Sequence, residues 1–297
     1  MLTLDEILGI VYLQITGFGF LGNCILFFYT FNFLIAQRTR PKNLIIIHLA
    51  FSNAMVLLFR GIPTTTMLWR MTCFLDETGI RILAYKQRFT RSLSLCSTCL
   101  LSLFQAITIS SNNSIWAQLK MRVPKCIIPC ILLCWIINVP LNLILLIYHV
   151  GPENRTDSKY GCITGYRSLD IYNQKHVKFV LIAFVYDAFF VCLMTFSSAH
   201  MVWILYRHKK HVKHIHSNHF STKISPETRA TQAILLLVGI YIFFNIFSPI
   251  FALCMIYFQY TNTWMMHTSA FLSLWYPAVS PFILIYNDNQ IPRTCAH

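Results

Sequence analysis

Two arginines, Arg88 and Arg91, stand three residues apart in an otherwise apolar stretch. At helical spacing they share one face, and Tyr85 lies one turn earlier on that face. A later apolar stretch carries the pair Tyr186-Asp187. Such residues offer recognition of a charged group rather than bond cleavage. Guanidinium groups hold oxyanions through paired hydrogen bonds. The expectation is a polar pocket with Tyr85, Arg88 and Arg91 on one wall and Tyr186 with Asp187 on another. An anionic small molecule, for example a sulfated steroid, suits the arginines. The competing account is an Arg91–Asp187 ion pair that only locks two helices, since buried charges are normally paired.

Other reactive residues point to less. Cys96 and Cys99 have the spacing of a redox or zinc pair, but a lone pair supplies too few ligands for structural zinc. Thiols in apolar surroundings also stay inert. Cys126, Cys130 and Cys134 repeat every four residues, as small residues do on a helix-packing seam. His208, His211, His214, His216 and His219 interleave with Arg207, Lys209, Lys210 and Lys213, without an acid or thiol among them. That segment reads as a solvated basic face, so no metal and no cofactor are expected. No HExxH, GxSxG or Asp-rich motif is present, which argues against an enzyme.

The elements that must position these residues follow from composition. Of 297 residues, 56% are hydrophobic and 11% charged, and the mean hydropathy is +0.56. Soluble domains carry about 25% charged residues. The net charge of +14 raises nucleic acid as a partner, but the cations sit in short strips between long apolar runs, and this pattern is membrane topology instead. Seven runs reach the roughly 20 residues a bilayer span requires. They cover 7–36, 44–69, 82–110, 126–148, 179–206, 230–258 and 267–286. Lipid satisfies no backbone group, and the runs are too long for barrel strands, so the fold class is an all-α membrane bundle of seven helices in one domain. The first run is too long for a signal-peptide core and is expected to be retained.

One set of loops carries 13 cations against Glu227 and Asp288; the opposite set is balanced. The positive-inside rule then puts the N-terminus outside and the tail inside. Asn154-Arg155-Thr156 is a glycosylation sequon on the outer side, whereas the sequon at Asn112 falls inside. Within the spans, Arg91 lies about 13 Å and Asp187 about 12 Å from the outer ends. A small ligand arriving from outside reaches that depth. Arg60, beside Gly61 and a kinking Pro63, is long enough to snorkel to the outer headgroups. On the inner side Ser225 reads as an N-cap with Pro226 at the first position of the sixth helix, and Arg229 one turn in. The inner cations are expected to attract anionic lipid and could dock a protein partner.

Short stretches within this frame resemble the type 1 vomeronasal receptors, a family of pheromone receptors coupled to G proteins. They are His48-Leu49-Ala50-Phe51-Ser52-Asn53 and Arg60-Gly61-Ile62-Pro63. The third span adds Ser92 to Ser102 and Phe104 to Ser110. Leu205 to Lys209, His214 to Ser217, Ser225 to Gln232 and Ser280 to Ile285 complete the set. The resemblance implies a chemosensory receptor in the plasma membrane of vomeronasal sensory neurons. It would bind a small pheromone-like ligand within the bundle and activate an inhibitory-class heterotrimeric G protein. Arg207, His208, Lys209, Lys210 and Arg229 would face that partner.

Like its family, the chain lacks Asp-Arg-Tyr at the inner end of the third span, where Thr108-Ile109-Ser110 stands. Where the family usually has a cysteine at the top of that span, this chain aligns Ile80. Cys162 looks like the partner of the missing cysteine. Either Cys73 substitutes for it or Cys162 is unpaired. Tyr186-Asp187 replaces the family's frequent Arg-Asp. A transporter is the main rival, but no two related halves are visible. A receptor relic that fails to reach the surface is the other alternative.

Overall fold

The computed structural model describes residues 3–36, 41–69, 77–110, 114–148, 174–215, 226–258 and 263–287, and all their regular structure is helical. In chain order the helices are α1 (Leu4–Ile35), α2 (Pro41–Leu68), α3 (Glu77–Ile109), α4 (Ser114–Tyr148), α5 (Gln174–Ile215), α6 (Pro226–Phe258) and α7 (Thr263–Asn287). All but α6 are long and apolar enough over their described residues to cross a membrane, and Thr228–Phe244 forms the apolar stretch of α6. The expected seven-helix membrane bundle is therefore what the chain forms.

Several helices outrun the apolar segments that announced them. α1 begins at Leu4 because Thr3 and Glu6 form a capping box: the Thr3 hydroxyl accepts from the Glu6 N–H, and the Glu6 carboxylate accepts from the Thr3 N–H at 2.7 Å. α4 starts twelve residues before its apolar run, so Lys120, Arg122 and Lys125 stand on helix. α5 continues to Ile215 and carries Arg207 to Lys213 with it. α6 starts at Pro226, whose fixed φ and missing N–H suit a first turn.

α3 is the central post. It touches α2, α4, α5 and α6, and 67% of its apolar window is buried, against 17% for α4 and α5. Its sequence requires that position. Ser92, Ser94, Ser97, Thr98 and Ser102 are all buried, and lipid would leave such hydroxyls costly. Elsewhere the bundle shows lipid its apolar surface, including Phe18, Leu133 and Phe196. Trp264 and Tyr286 are exposed near helix ends and Tyr206 near the end of its apolar span, where amphipathic rings favour the headgroup boundary.

Close seams rest on small residues. A Cβ at Gly19 of α1 would lie 2.7 Å from the Ala278 backbone of α7, and one at Gly61 of α2 would collide with Thr16 of α1. α2 also departs from regular α geometry, with a π-turn over Leu57–Gly61 just before Pro63. Pro63 has no N–H for the Phe59 carbonyl four residues earlier. The Gln87 side chain of α3 donates to that oxygen instead, at 2.9 Å. At the other end of the bundle Pro281 cannot serve the Pro277 carbonyl, and Asn23 of α1 donates to it at 2.8 Å.

Candidate functional site

Asp187 of α5 receives a forked hydrogen bond from Arg88 of α3, with Nη1 and Nη2 at 2.8 and 2.9 Å from its two oxygens. Arg88 Nη2 also donates to the Ala183 carbonyl one turn earlier, at 3.1 Å. The second arginine approaches the same carboxylate less closely: Arg91 Nη2 lies 4.0 Å from Oδ2. All three side chains are largely buried. The sequence puts both arginines on one wall and names Arg91–Asp187 as the competing packing pair; the structure gives the bidentate contact to Arg88, with Arg91 4.0 Å from the same carboxylate. Two guanidinium groups thus share one carboxylate between α3 and α5.

Tyr85 stacks on Phe89, with ring centroids 5.8 Å apart, and Phe89 meets Trp135 of α4 edge-on at 5.4 Å. These rings form an apolar flank beside the charges. Tyr186 turns the other way. Its hydroxyl donates to Asn138 Oδ1 of α4 at 3.0 Å, and it lies 3.3 Å from Cys96 Sγ. Asn138 Nδ2 approaches that sulfur at 3.4 Å. Asn138, Cys96 and Tyr186 therefore close a ring of hydrogen bonds linking α3, α4 and α5. A tyrosine adjacent to Asp187 points about 100° round the helix from it, so the two side chains serve different neighbours.

Beyond this layer the bundle holds neutral polar ties that no charged residue announces. Ser94 donates to Asn53 Oδ1 at 2.5 Å, and Asn53 Nδ2 donates to Ser280 Oγ at 2.8 Å, joining α3, α2 and α7. Thr98 gives its proton to the Ser94 carbonyl, so the Tyr276 hydroxyl, 2.6 Å away, donates to Thr98. Trp135 donates to His48 Nε2 at 2.8 Å. That leaves the His48 proton on Nδ1, which faces Ser97 Oγ at 2.7 Å. Nearer the basic end of the bundle Gln105 of α3 donates to Thr231 of α6 at 2.9 Å, with both residues buried.

At the basic end of the bundle Arg207 stacks over Trp203, 5.6 Å from the ring centroid, and Arg229 over Tyr286 of α7 at 5.8 Å. Lys210 is exposed on the same extended helix, α5, which also carries His208 and Lys209. Cys126 is exposed rather than set in a helix seam, while Cys96 and Cys99 are buried thiols. Asn154, Cys73 and Cys162 lie outside the described residues, so the sequon and the disulfide remain expectations.

Comparison with known proteins settles what kind of molecule carries this arrangement. The vomeronasal organ pheromone receptor family matches residues 6–297. The chain belongs to this receptor family. Vomeronasal type-1 receptor 3 of Homo sapiens is 37% identical over 300 residues, covering 99% of this chain and 94% of the relative. Vomeronasal type-1 receptor 1 of Gorilla gorilla gorilla is 35% identical, covering 97% of this chain and 82% of the relative. The more distant olfactory receptor class A-like protein 1 of Danio rerio is 31% identical, covering 95% and 90%. Membership makes the chain a chemosensory G-protein-coupled receptor and a multi-pass membrane protein. In a vomeronasal receptor, the paired charges between α3 and α5 and the basic ends of α5 and α6 are the natural candidates for its two working surfaces.

Proposed function

We propose that this receptor binds a small anionic ligand from the outer side, between α3 and α5, and activates an inhibitory-class heterotrimeric G protein at its basic inner face. The supporting observation is the gathering of ionisable groups at Asp187. Arg88 engages both carboxylate oxygens, and Arg91 stands 4.0 Å from one of them. Ionisable residues within membrane spans are costly and mark functional sites. An oxyanion such as a sulfate ester matches guanidinium geometry, and Tyr85 with Phe89 gives an apolar body something to lie against. In this reading Arg91 contacts the ligand, Arg88 and Asp187 hold the site's shape, and Tyr186 steadies α5 against α4. Arg207, His208, Lys209, Lys210 and Arg229 contribute to the G-protein surface. Its family supports the plasma membrane of vomeronasal sensory neurons as the place where it works.

A second reading has its own support. The completeness of the Arg88–Asp187 contact suits a pair whose task is helix packing alone. The test is a screen of anionic and neutral steroids against G-protein activation, repeated on Arg91→Ala at matched surface expression. The receptor reading expects activating anions to lose potency by about tenfold or more, the value of one charge-assisted contact. Unchanged potency and unchanged anion preference would assign the pair to packing.

A further inference from the structure

One buried hydroxyl beside the charged site bonds to nothing within the protein. Ser92 of α3 is 1% exposed, and its Oγ has no hydrogen-bond partner among the described residues. The other buried hydroxyls of that helix are engaged. Thr90, Ser97 and Thr98 donate to the carbonyls four residues back. Ser94 donates to Asn53, and Ser102 pairs with Ser197. A serine inside a helix always has the carbonyl four residues back as a ready partner. For Ser92 that acceptor is the Arg88 carbonyl, and no bond to it forms.

Its position says what this hydroxyl can serve. Ser92 follows Arg88 by four residues and precedes Cys96 by four, so the three share one stripe of α3. Arg88 meets Asp187 and the Ala183 carbonyl, and Cys96 meets the Tyr186 hydroxyl, all on α5. Ser92 therefore stands on the side of α3 that looks at α5, between two contacts with that helix and next to Arg91 in the chain. The polar groups across from it are engaged elsewhere: Asp187 accepts from both Arg88 nitrogens, and Tyr186 donates to Asn138. Burying a hydroxyl without a partner costs stability, and alanine, nearly the same size, would carry no such cost. A partner from outside the chain accounts for a serine here. The guanidinium groups suit an anion, whereas a hydroxyl, neutral and able both to donate and to accept, suits a ketone or an alcohol.

We propose that Ser92 is a specificity-determining residue of the ligand site, and that the ligand carries a ketone or hydroxyl, distinct from its anionic end, which hydrogen-bonds to Ser92 Oγ. The assignment rests on the ligand site between α3 and α5 given under Proposed function. The probes are steroid sulfates that differ only in carrying a ketone or a methylene at one ring position, with that position varied, together with their unsulfated counterparts. They are applied to the full-length receptor at matched surface expression, and G-protein activation is read. The wild type is expected to prefer a ketone member over its methylene twin by about tenfold, the worth of a buried hydrogen bond whose loss leaves a polar group unpaired. Ser92→Ala should erase that preference and leave the potency of the methylene member unchanged. Ser92→Thr, which keeps the hydroxyl, should restore the preference. Without ligand, Ser92→Ala should melt no lower than the wild type, since no bond within the protein is lost. A lower melting temperature, with both members of a pair weakened equally, would assign the hydroxyl to the fold and overturn the proposal. A wild type that shows no ketone preference, while Arg91→Ala still weakens the sulfates, would overturn it and leave the anionic-ligand reading standing. A ketone preference erased by Ser92→Ala, with Arg91→Ala harmless, would do the reverse. A wild type that answers no member would overturn both.

Discussion

Asp187 is the one carboxylate within the apolar runs, and its hydrogen bonds divide the labour of the two arginines. Removing one member of a buried pair leaves its partner charged and unsolvated, at about 3 to 5 kcal/mol. Arg88→Ala should therefore lower thermal stability in detergent and reduce surface staining strongly. Arg91→Ala, which leaves the forked contact whole, should do both to a smaller degree. Arg88→Lys is expected to recover little, because an ammonium cannot span both oxygens and the Ala183 carbonyl together. If Arg91→Ala proves the less stable of the two, the division of roles is wrong. The charged members of this site were legible in the sequence because ionised groups are rare in lipid and stand out. Their pairing was not. Arg88 and Arg91 share a face, and only the rotation of α3 against α5 decides which of them meets the carboxylate.

At the scale of the helix, prolines create needs that neighbouring helices meet. The Phe59 carbonyl loses its donor to Pro63 and gains Gln87 from α3. Gln87→Leu leaves that oxygen unpaired and should cost about 1 to 2 kcal/mol in unfolding. In a Pro63→Ala background, where residue 63 again offers an N–H, the same change should cost almost nothing. Equal costs in the two backgrounds would show that Gln87 acts otherwise. The Gln105–Thr231 bond ties α3 to α6 in the same neutral manner, close to the inner surface. An outward movement of α6 must break it. Gln105→Ala should raise ligand-independent nucleotide exchange by several-fold, since interhelical bonds of this kind are worth about 0.6 to 1.7 kcal/mol. Unaltered basal exchange would place the moving contact elsewhere. Gln87 and Asn138 carry no signal of their own in the sequence, and Asn53 and Gln105 enter it only within stretches that resemble the family. They are common in spans, they are individually cheap, and their partners depend on helix rotation. The early start of α4 and the long inner extension of α5 were hidden for a different reason: outside the lipid, helix continues without apolar residues to mark it.

For the molecule as a whole, count and class of spans were readable from the start, since a bilayer sets the length of an apolar run and forbids unpaired backbone. Orientation is a separate matter and follows from charge. The loops that would face the cytosol hold 13 cations against two acids, whereas the opposite loops hold as many acids as cations. An odd number of spans puts the two ends on opposite sides, and because cations resist translocation far more than acids do, the asymmetry predicts the N-terminus outside. A tag at the N-terminus should stain intact cells, and one at the C-terminus only permeabilised cells. Asn154→Gln should abolish a glycosidase-sensitive shift on a gel, while Asn112→Gln leaves it unchanged, because only the first of these sequons would reach the glycosylating compartment. The two assays are independent, since one reads the ends and the other a loop. A shift lost with Asn112→Gln, or an N-terminal tag hidden until permeabilisation, would invert the bundle. The Arg88–Asp187 pair would then lie towards the cytosol, and the basic ends of α5 and α6 outside.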